Sequence, residues 1–527
     1  MRRPLLLNGF MASGKSTLGR LVAQRAGKSF VDLDERIEAR AGLRVAEIFA
    51  KHGERTFRTW EAEALDELLA AGRPEVVALG GGALLVRARR LRALDAAVVV
   101  TLAADVEETL RRAARQPEQR PLLSGQSAAE HAEQLLELRA PAYAECHARL
   151  ETSGRDPEQL ARRVLELWQR DGVGVAAGEH SYSVEIGAGI AASRLGEWSE
   201  GRSRILLITD RNVAPRHAAP VLEALGGSAQ VEKIVLVPGE VHKTLGTVES
   251  IWQRASALGA DRSSLFVGLG GGVVTDITGF AAAGWMRGVP WVGVPTTLLA
   301  MVDASVGGKT AVDLGQAKNC VGAFWQPSAV LCDVQYSATE PARGSSALSE
   351  VVKTALIGDP SLLELLEREP DAVRRRDPEV TAEIVRRSVR VKARVVGEDA
   401  REQGIRAALN LGHTFGHALE SAAGFDRLSH GEAISLGLVA ALRLGQRLAV
   451  TPKSLVERVT ELLVRLGLPT DLSKEPLDAA AGLLGLDKKR KGRRVKFVLV
   501  RQPGQIEFRN LELSELTRLA GDLGRSD

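Results

Sequence analysis

Residues 9–16 read Gly9-Phe10-Met11-Ala12-Ser13-Gly14-Lys15-Ser16, and this stretch decides the fold of the first part of the chain. The short apolar run before it, residues 4–7, reads as a buried strand, and the residues from Lys15 onward read as a helix. Strand, Gly-rich turn and helix in that order are the context that the GxxxxGK[ST] phosphate loop requires. Backbone N–H groups of such a loop point at phosphates, and the helix N-terminus adds positive potential. Lys15 is then expected to reach the β- and γ-phosphates of a nucleotide, and Ser16, followed by Thr17, to meet Mg²⁺. A chance turn with an exposed lysine is the bland alternative, and the flanking strand and helix argue against it.

Outward from the loop, apolar runs of buried-strand length recur at 29–33, 76–79 and 97–102, with helical patterns such as 59–71 between them. A βαβα order of this kind predicts a parallel sheet covered by helices on both faces. The segment closes on a predicted helix over 157–169, with Asp156 as its cap and Pro157 at its first position. Residues 171–180 (DGVGVAAGEH) are rich in Gly and Ala without periodicity and are expected to be a linker. A second α/β unit begins at Tyr182, with strands at 203–210 and 231–237. From about Ser346 the chain turns helical almost to its end, interrupted by a strand pair near 495–500 and 505–508. The expected architecture is therefore α/β: a phosphate-loop domain with a parallel sheet (1–170), a linker (171–180), a second α/β part (181–345) and a mainly helical part (346–527).

Bulk properties agree. A chain of 527 residues exceeds the ~250–300 at which single cores stop growing, so several domains are expected. With 45% hydrophobic and 26% charged residues it has ordinary globular composition, and a net charge of +4 points weakly to anionic small molecules rather than nucleic acid. The three cysteines, Cys146, Cys320 and Cys332, give neither a disulfide framework nor a CxxC metal knuckle, which suits a reduced, cytoplasmic setting. The most apolar stretch, 277–302, contains Arg287, Pro290 and Pro295 and does not read as a membrane span.

Chemistry-bearing residues cluster in both parts. Asp32 and Asp34 end an apolar run two residues apart, so that in a strand both face one side: one suits Mg²⁺ and the other a substrate hydroxyl. A solvated acidic loop is the alternative. Gly80, Gly81 and Gly82 follow a strand and let backbone approach a ligand. Further on, 264–272 (SLFVGLGGG) runs from strand into glycines, a weak dinucleotide signal by itself, and Asp210 ends a strand where an acidic group can take ribose hydroxyls. His413 and His417 lie one turn apart on one helix face, and His430 follows. Three histidines this close favour a metal site, although each alone reads as an ordinary polar residue. Thr414 stands where a zinc peptidase would carry glutamate, so a peptidase is disfavoured. Lys309, Lys353, Lys392, Arg406 and Asn410 suggest a substrate bearing phosphate and carboxylate, each singly being readable as surface charge.

Residues 3–165 resemble shikimate kinase. The resemblance is carried by the phosphate loop, Asp32-Leu33-Asp34, GExxFRxxE at 53–61, the triple glycine at 80–82, RPLL at 120–123 and RxPxY at 139–143. It implies that Asp34, Arg58, Arg139 and the Gly80, Gly81, Gly82 turn bind shikimate, with Arg58 and Arg139 on its carboxylate and Asp34 at its 3-hydroxyl. Asp32 would support Mg²⁺ with Ser16, and Arg120 would act from a lid during transfer.

Residues 182–510 resemble 3-dehydroquinate synthase. The matching motifs are LGGGVVTDITGFAAA at 269–283, RGVPWVGVPTTLLAMVDASVGGKTAV at 287–312, KNCVGAFWQP at 318–327, LNLGHTFGHALE at 409–420 and LSHGEA at 428–433. The resemblance implies zinc or cobalt on Glu350, His413 and His430, with His417 moving protons near the leaving phosphate. It implies NAD⁺ at Asp210, Glu240, Lys243, Gly271, Gly272, Asp276, Thr296, Thr297, Asp303, Lys309, Lys318 and Asn319. Lys309, Lys353, Lys392, Arg406, Asn410, Arg287 and Lys489 would hold 3-deoxy-arabino-heptulosonate 7-phosphate, with Arg287 reaching a neighbouring subunit of a homodimer. The implied reaction oxidises one carbinol, eliminates phosphate, returns the hydride, and closes the ring by an internal aldol step. Residues 339–345 depart from the family pattern by one residue, and no NAD contact is assigned there. A metal-dependent polyol dehydrogenase, or a cyclase for another sugar phosphate, is the competing reading here. For the first part it is gluconate kinase or a nucleotide-sensing module.

Overall fold

The computed structural model describes residues 2–114, 128–227, 230–315, 317–340, 346–402, 404–423, 427–484, 490–491 and 494–521. Arg120 and Lys489 lie outside the described residues. The chain forms two compact units, residues 1–185 with 326–329, and residues 186–325 with 330–527.

The first unit runs β1 (Leu5–Gly9), α1 (Lys15–Ala26), β2 (Phe30–Asp32), α2 (Leu33–Ala41), α3 (Val45–Ala71), β3 (Val76–Ala78), α4 (Arg87–Ala96), β4 (Val98–Ala103), α5 (Val106–Ala113), α6 (Ala128–Ala144), β5 (Ala148–Glu151), α7 (Pro157–Arg170), β6 (Val173–Val175) and β7 (Tyr182–Gly187). Strands β2-β3-β1-β4-β5 form a parallel sheet in that order, as the alternation of runs predicts. Strand alternation splits the core. Leu5, Leu7, Val98 and Val100 pack with α1 and α7 on one face, and Leu6, Val77 and Val99 pack with α2 and α3 on the other. Asp156 caps α7 and Pro157 opens it.

Two expectations need correction. The strand ends at Asp32, which caps α2 by accepting from Asp34 N at 3.1 Å; Asp34 thus sits in the first helical turn, not on a strand face. An aspartate ahead of a helix-forming run satisfies a free N–H more readily than it extends a short strand. The segment 171–180 is not a free linker. Val173 and Val175 are buried in a strand paired antiparallel with β7, and the first unit continues to Glu185. Its Gly content conceals alternating valines, a signal too short for periodicity to register. The two parts expected to meet at 345 lie within one compact unit.

The second unit continues with α8 (Ile190–Ser199), β8 (Arg204–Asp210), α9 (Ala214–Leu225), β9 (Gln230–Leu236), α10 (Leu245–Ala257), β10 (Leu265–Gly270), α11 (Gly272–Gly284), β11 (Trp291–Pro295), β12 (Lys309–Leu314), β13 (Ala317–Phe324), β14 (Ala329–Asp333) and α12 (Val334–Ser337). Strands β11, β10, β8 and β9 are parallel neighbours. Then come α13 (Leu348–Gly358), α14 (Pro360–Arg368), α15 (Pro370–Arg374), α16 (Pro378–Glu398), α17 (His413–Ala422), α18 (His430–Arg447), α19 (Lys453–Arg465), α20 (Leu477–Leu483), the strands β15 (Arg490–Lys491), β16 (Arg494–Gln502) and β17 (Gln505–Glu512), and α21 (Leu513–Gly521). Lys392 of α16 binds both Asp303 O and Asp303 Oδ1 at 2.6 Å, which joins the helical part to the sheet part.

Candidate active sites

In the first unit, the loop between β1 and α1 holds Lys15 against its own carbonyls. Lys15 Nζ donates to Gly9 O at 2.9 Å and to Phe10 O at 2.8 Å. Ser16 Oγ donates to Asp32 Oδ2 at 2.6 Å, which puts a hydroxyl and a carboxylate together where a hard cation takes oxygen ligands. Asp34 lies beside them. Burial, then Glu61 and Asp32, push its carboxyl up to about 6. Glu61 is buried, and burial pushes its carboxyl up against the opposing pull of Arg58, whose Nη1 lies 2.8 Å from Glu61 Oε2. Asp34 Oδ1 and Glu61 Oε1 are buried without a protein donor. Both flank the glycine turn: a Cβ on Gly80 would come within 2.5 Å of Glu61 Oε1 and 2.8 Å of Asp34 Oδ1, and one on Gly82 within 2.5 Å of Arg58 Nη1. Only bare backbone fits there. Gly81 O accepts from Tyr143 Oη at 2.6 Å and from Arg139 Nη1 at 3.4 Å, so the turn, Arg58 and Arg139 share one cleft.

In the second unit, α17 and α18 approach so closely that a Cβ on Gly437 would lie 2.1 Å from Gly412 O. Ser429 and Glu432 form a capping box that starts α18 at His430. These features bring His413 and His430 to Glu350 of α13. Ligand atoms of the three lie within 4.8 Å of one another. Two imidazoles and a carboxylate suit zinc or cobalt. Burial pushes the Glu350 carboxyl up, but Lys353 and the imidazoles outweigh it and hold it well below the usual range. Lys353 is buried and paired with Glu350. His417 lies edge-on to His413, ring centroids 5.2 Å apart.

Around this cluster, Lys243 Nζ donates to Asp276 Oδ2 at 2.6 Å and to Asn319 Oδ1 at 2.5 Å, and lies 3.8 Å from Glu240. Burial pushes the Asp276 carboxyl up to about 6 against the pull of Lys243. Gly271 and Gly272 open α11 beside Thr297, and Thr296 N donates to Gly270 O at 2.9 Å. Asp210, the last residue of β8, accepts at Oδ1 from Asn212 N and Val213 N at 2.8 and 3.0 Å. Asn410 Nδ2 donates to Glu402 Oε1 at 3.0 Å, and Lys309 pairs with the same carboxylate. Arg406 donates to Ala400 O and Gly307 O at 2.7 and 3.1 Å. Lys318 donates to Glu420. Arg287 is exposed.

Residues 233–347 match the N-terminal family model of 3-dehydroquinate synthase, and 347–490 match its C-terminal model. A 3-dehydroquinate synthase from Halorhodospira halophila is 44% identical over 331 residues, which cover 63% of this chain and 93% of that protein. The chain belongs to the 3-dehydroquinate synthase family. Residues 11–169 match the shikimate kinase family model, so a shikimate kinase is joined to the synthase in one chain. Among solved structures, a 2-deoxy-scyllo-inosose synthase complexed with carbaglucose-6-phosphate, NAD⁺ and Co²⁺ is 26% identical, covering 66% of this chain and 99% of its own, with a TM-score of 0.61. A 2-epi-5-epi-valiolone synthase from Streptomyces hygroscopicus with NAD⁺ and Zn²⁺ is 28% identical, covering 66% and 98%, with a TM-score of 0.60.

Sequence reasoning assigned no role to Glu61, Tyr143, Glu402 or Glu420, all of which touch site residues in the synthase or kinase. Glu61 and Tyr143 stand inside quoted motifs, GExxFRxxE and RxPxY, which was the available signal. Glu402 stands in an unremarkable charged stretch and carried none.

Proposed function

We propose that the first unit transfers the γ-phosphoryl group of ATP to the 3-hydroxyl of shikimate, and that the second converts 3-deoxy-arabino-heptulosonate 7-phosphate to 3-dehydroquinate and phosphate. The observation that carries the reading is the convergence of Glu350, His413 and His430 beside buried Lys353, in a chain that also holds a complete phosphate loop. In the kinase, Lys15 leaves its loop carbonyls for the β- and γ-phosphates, while Ser16 and Asp32 hold Mg²⁺. Gly9, Gly14 and Thr17 complete the loop. Arg58 and Arg139 grip the shikimate carboxylate with planar forks, and the Gly80, Gly81, Gly82 backbone lies along the ring. Asp34 accepts the 3-hydroxyl hydrogen; with its carboxyl near 6, it is ionised at neutral pH yet basic enough to help.

In the synthase, Glu350, His413 and His430 hold zinc or cobalt, which when bound polarises substrate oxygens. NAD⁺ supplies a reversible hydride acceptor; Gly271, Gly272, Asp276, Lys243 and Asn319 are proposed to seat it with Asp210, Glu240, Thr296, Thr297, Asp303 and Lys318. Lys309, Lys353, Lys392, Arg406 and Asn410 hold the phosphate and carboxylate throughout, and His417 moves a proton near the leaving phosphate. Arg287, being exposed, is proposed to serve a neighbouring subunit of a homodimer. No described helix is long and apolar enough to cross a membrane, and both cofactor requirements suit a cytoplasmic enzyme without nucleic-acid partners.

The test is phosphate release followed alongside NADH absorbance, with the heptulosonate phosphate in large excess over NAD⁺. Many phosphates per NAD⁺ with no accumulating NADH are expected. Stoichiometric NADH without phosphate would make the second unit a dehydrogenase instead.

A further inference from the structure

Both imidazoles of the metal cluster turn Nε2 toward Glu350 Oε1, at 3.5 Å for His413 and 3.6 Å for His430. Each Nδ1 therefore faces away, and the two meet different partners. His413 Nδ1 lies 3.2 Å from the Leu411 carbonyl oxygen, a neutral acceptor from the adjacent turn. His430 Nδ1 lies 3.5 Å from Oε2 of Glu420, a buried carboxylate further along α17. The other oxygen of Glu420 accepts from Lys318 Nζ of β13 at 2.9 Å.

We infer that Glu420 is a positioning residue for the metal centre, holding His430 as the Nδ1–H tautomer with its Nε2 lone pair aimed at the ion. The inference rests on the reading of Glu350, His413 and His430 as ligands. A neutral imidazole has one lone pair, and the hydrogen bond made by the other nitrogen decides which atom carries it. A carboxylate in that role also makes the ligating nitrogen more basic, and loss of such a partner typically costs about 10–100-fold in metal affinity. Lys318 supports the arrangement by fixing the second oxygen and balancing its charge, so the site does not gather a second uncompensated carboxylate. The competing explanation is that Glu420 only pairs with half-exposed Lys318, a contact of small energetic consequence. That explanation leaves metal binding untouched when the carboxylate is removed.

The experiment titrates the metal-free full-length chain with Co²⁺, read by its visible absorption, and with Zn²⁺, read by competition against a chelator, without NAD⁺ or substrate. Glu420→Gln is expected to weaken both ions by about 10–100-fold and to alter the Co²⁺ spectrum, with Glu420→Asp intermediate. Should Glu420→Gln not fold by circular dichroism, Glu420→Asp carries the test. Unchanged affinity and spectrum in a folded variant overturn the inference while leaving the ligand set intact. A wild-type chain that binds neither ion stoichiometrically overturns the ligand set and the inference with it.

Discussion

At Asp34 three influences meet, burial, Glu61 and Asp32, and together they push the carboxyl from an ordinary 3.8 to about 6. A carboxyl raised in the folded state opposes folding once it ionises. Below pH 4 it is protonated in both states and contributes nothing; the penalty grows between pH 4 and 6 and is constant above. Asp34→Asn is therefore expected to leave the kinase transition unchanged at pH 4 and to stabilise it at pH 8 by about 1–3 kcal/mol, with kinase activity lost by orders of magnitude. Denaturant unfolding at the two pH values, followed alongside shikimate phosphorylation, checks this. Equal stability of variant and wild type at pH 8 would show that the charge is already compensated. The spacing of Asp32 and Asp34 was legible in sequence, but their relation to Glu61 was not, because that neighbour comes from α3 and arrives only through folding.

Among the elements, the hairpin of β6 and β7 departs furthest from its sequence reading. Arg3 Nε donates to Asp171 Oδ1 at 2.7 Å and Arg3 Nη2 donates to Gly172 O at 2.7 Å. Gly178 N donates to Glu145 Oε1 at 3.3 Å, and Ala176 packs in the core under α2 and α3. Cutting after residue 170 strips a part-buried guanidinium and a buried carboxylate of these partners, a loss of about 1–3 kcal/mol. A kinase piece ending at 170 is expected to melt several degrees below one ending at 185. Thermal scans of both pieces decide; identical melting temperatures would restore 171–180 as a passive linker. The cap and proline that start α7 were readable from Asp156 and Pro157 because capping is local chemistry. The hairpin was not, because its pairing partner lies across a turn.

For the molecule as a whole, the two sites draw on separate residues, cofactors and compact units. Lys15→Ala removes the charge that meets the transferring phosphoryl group. Kinase activity is expected to fall by orders of magnitude while synthase activity stays within about twofold, measured on the same preparation. Equal loss of both activities would reveal coupling between the units.

The sequence alone determined the phosphate loop, the βαβ alternation and the two-enzyme make-up, since each rests on contiguous motifs or local periodicity. Tertiary structure decided what depends on distant chain segments meeting. It put Glu61 and Asp34 against the glycine turn, and brought Lys392 to Asp303, so that sheet and helices form one synthase unit. It also turned Glu420 toward His430. A lone glutamate in a helix has no readable role until packing shows which nitrogen it faces, because burial and hydrogen-bond geometry are properties of the folded neighbourhood.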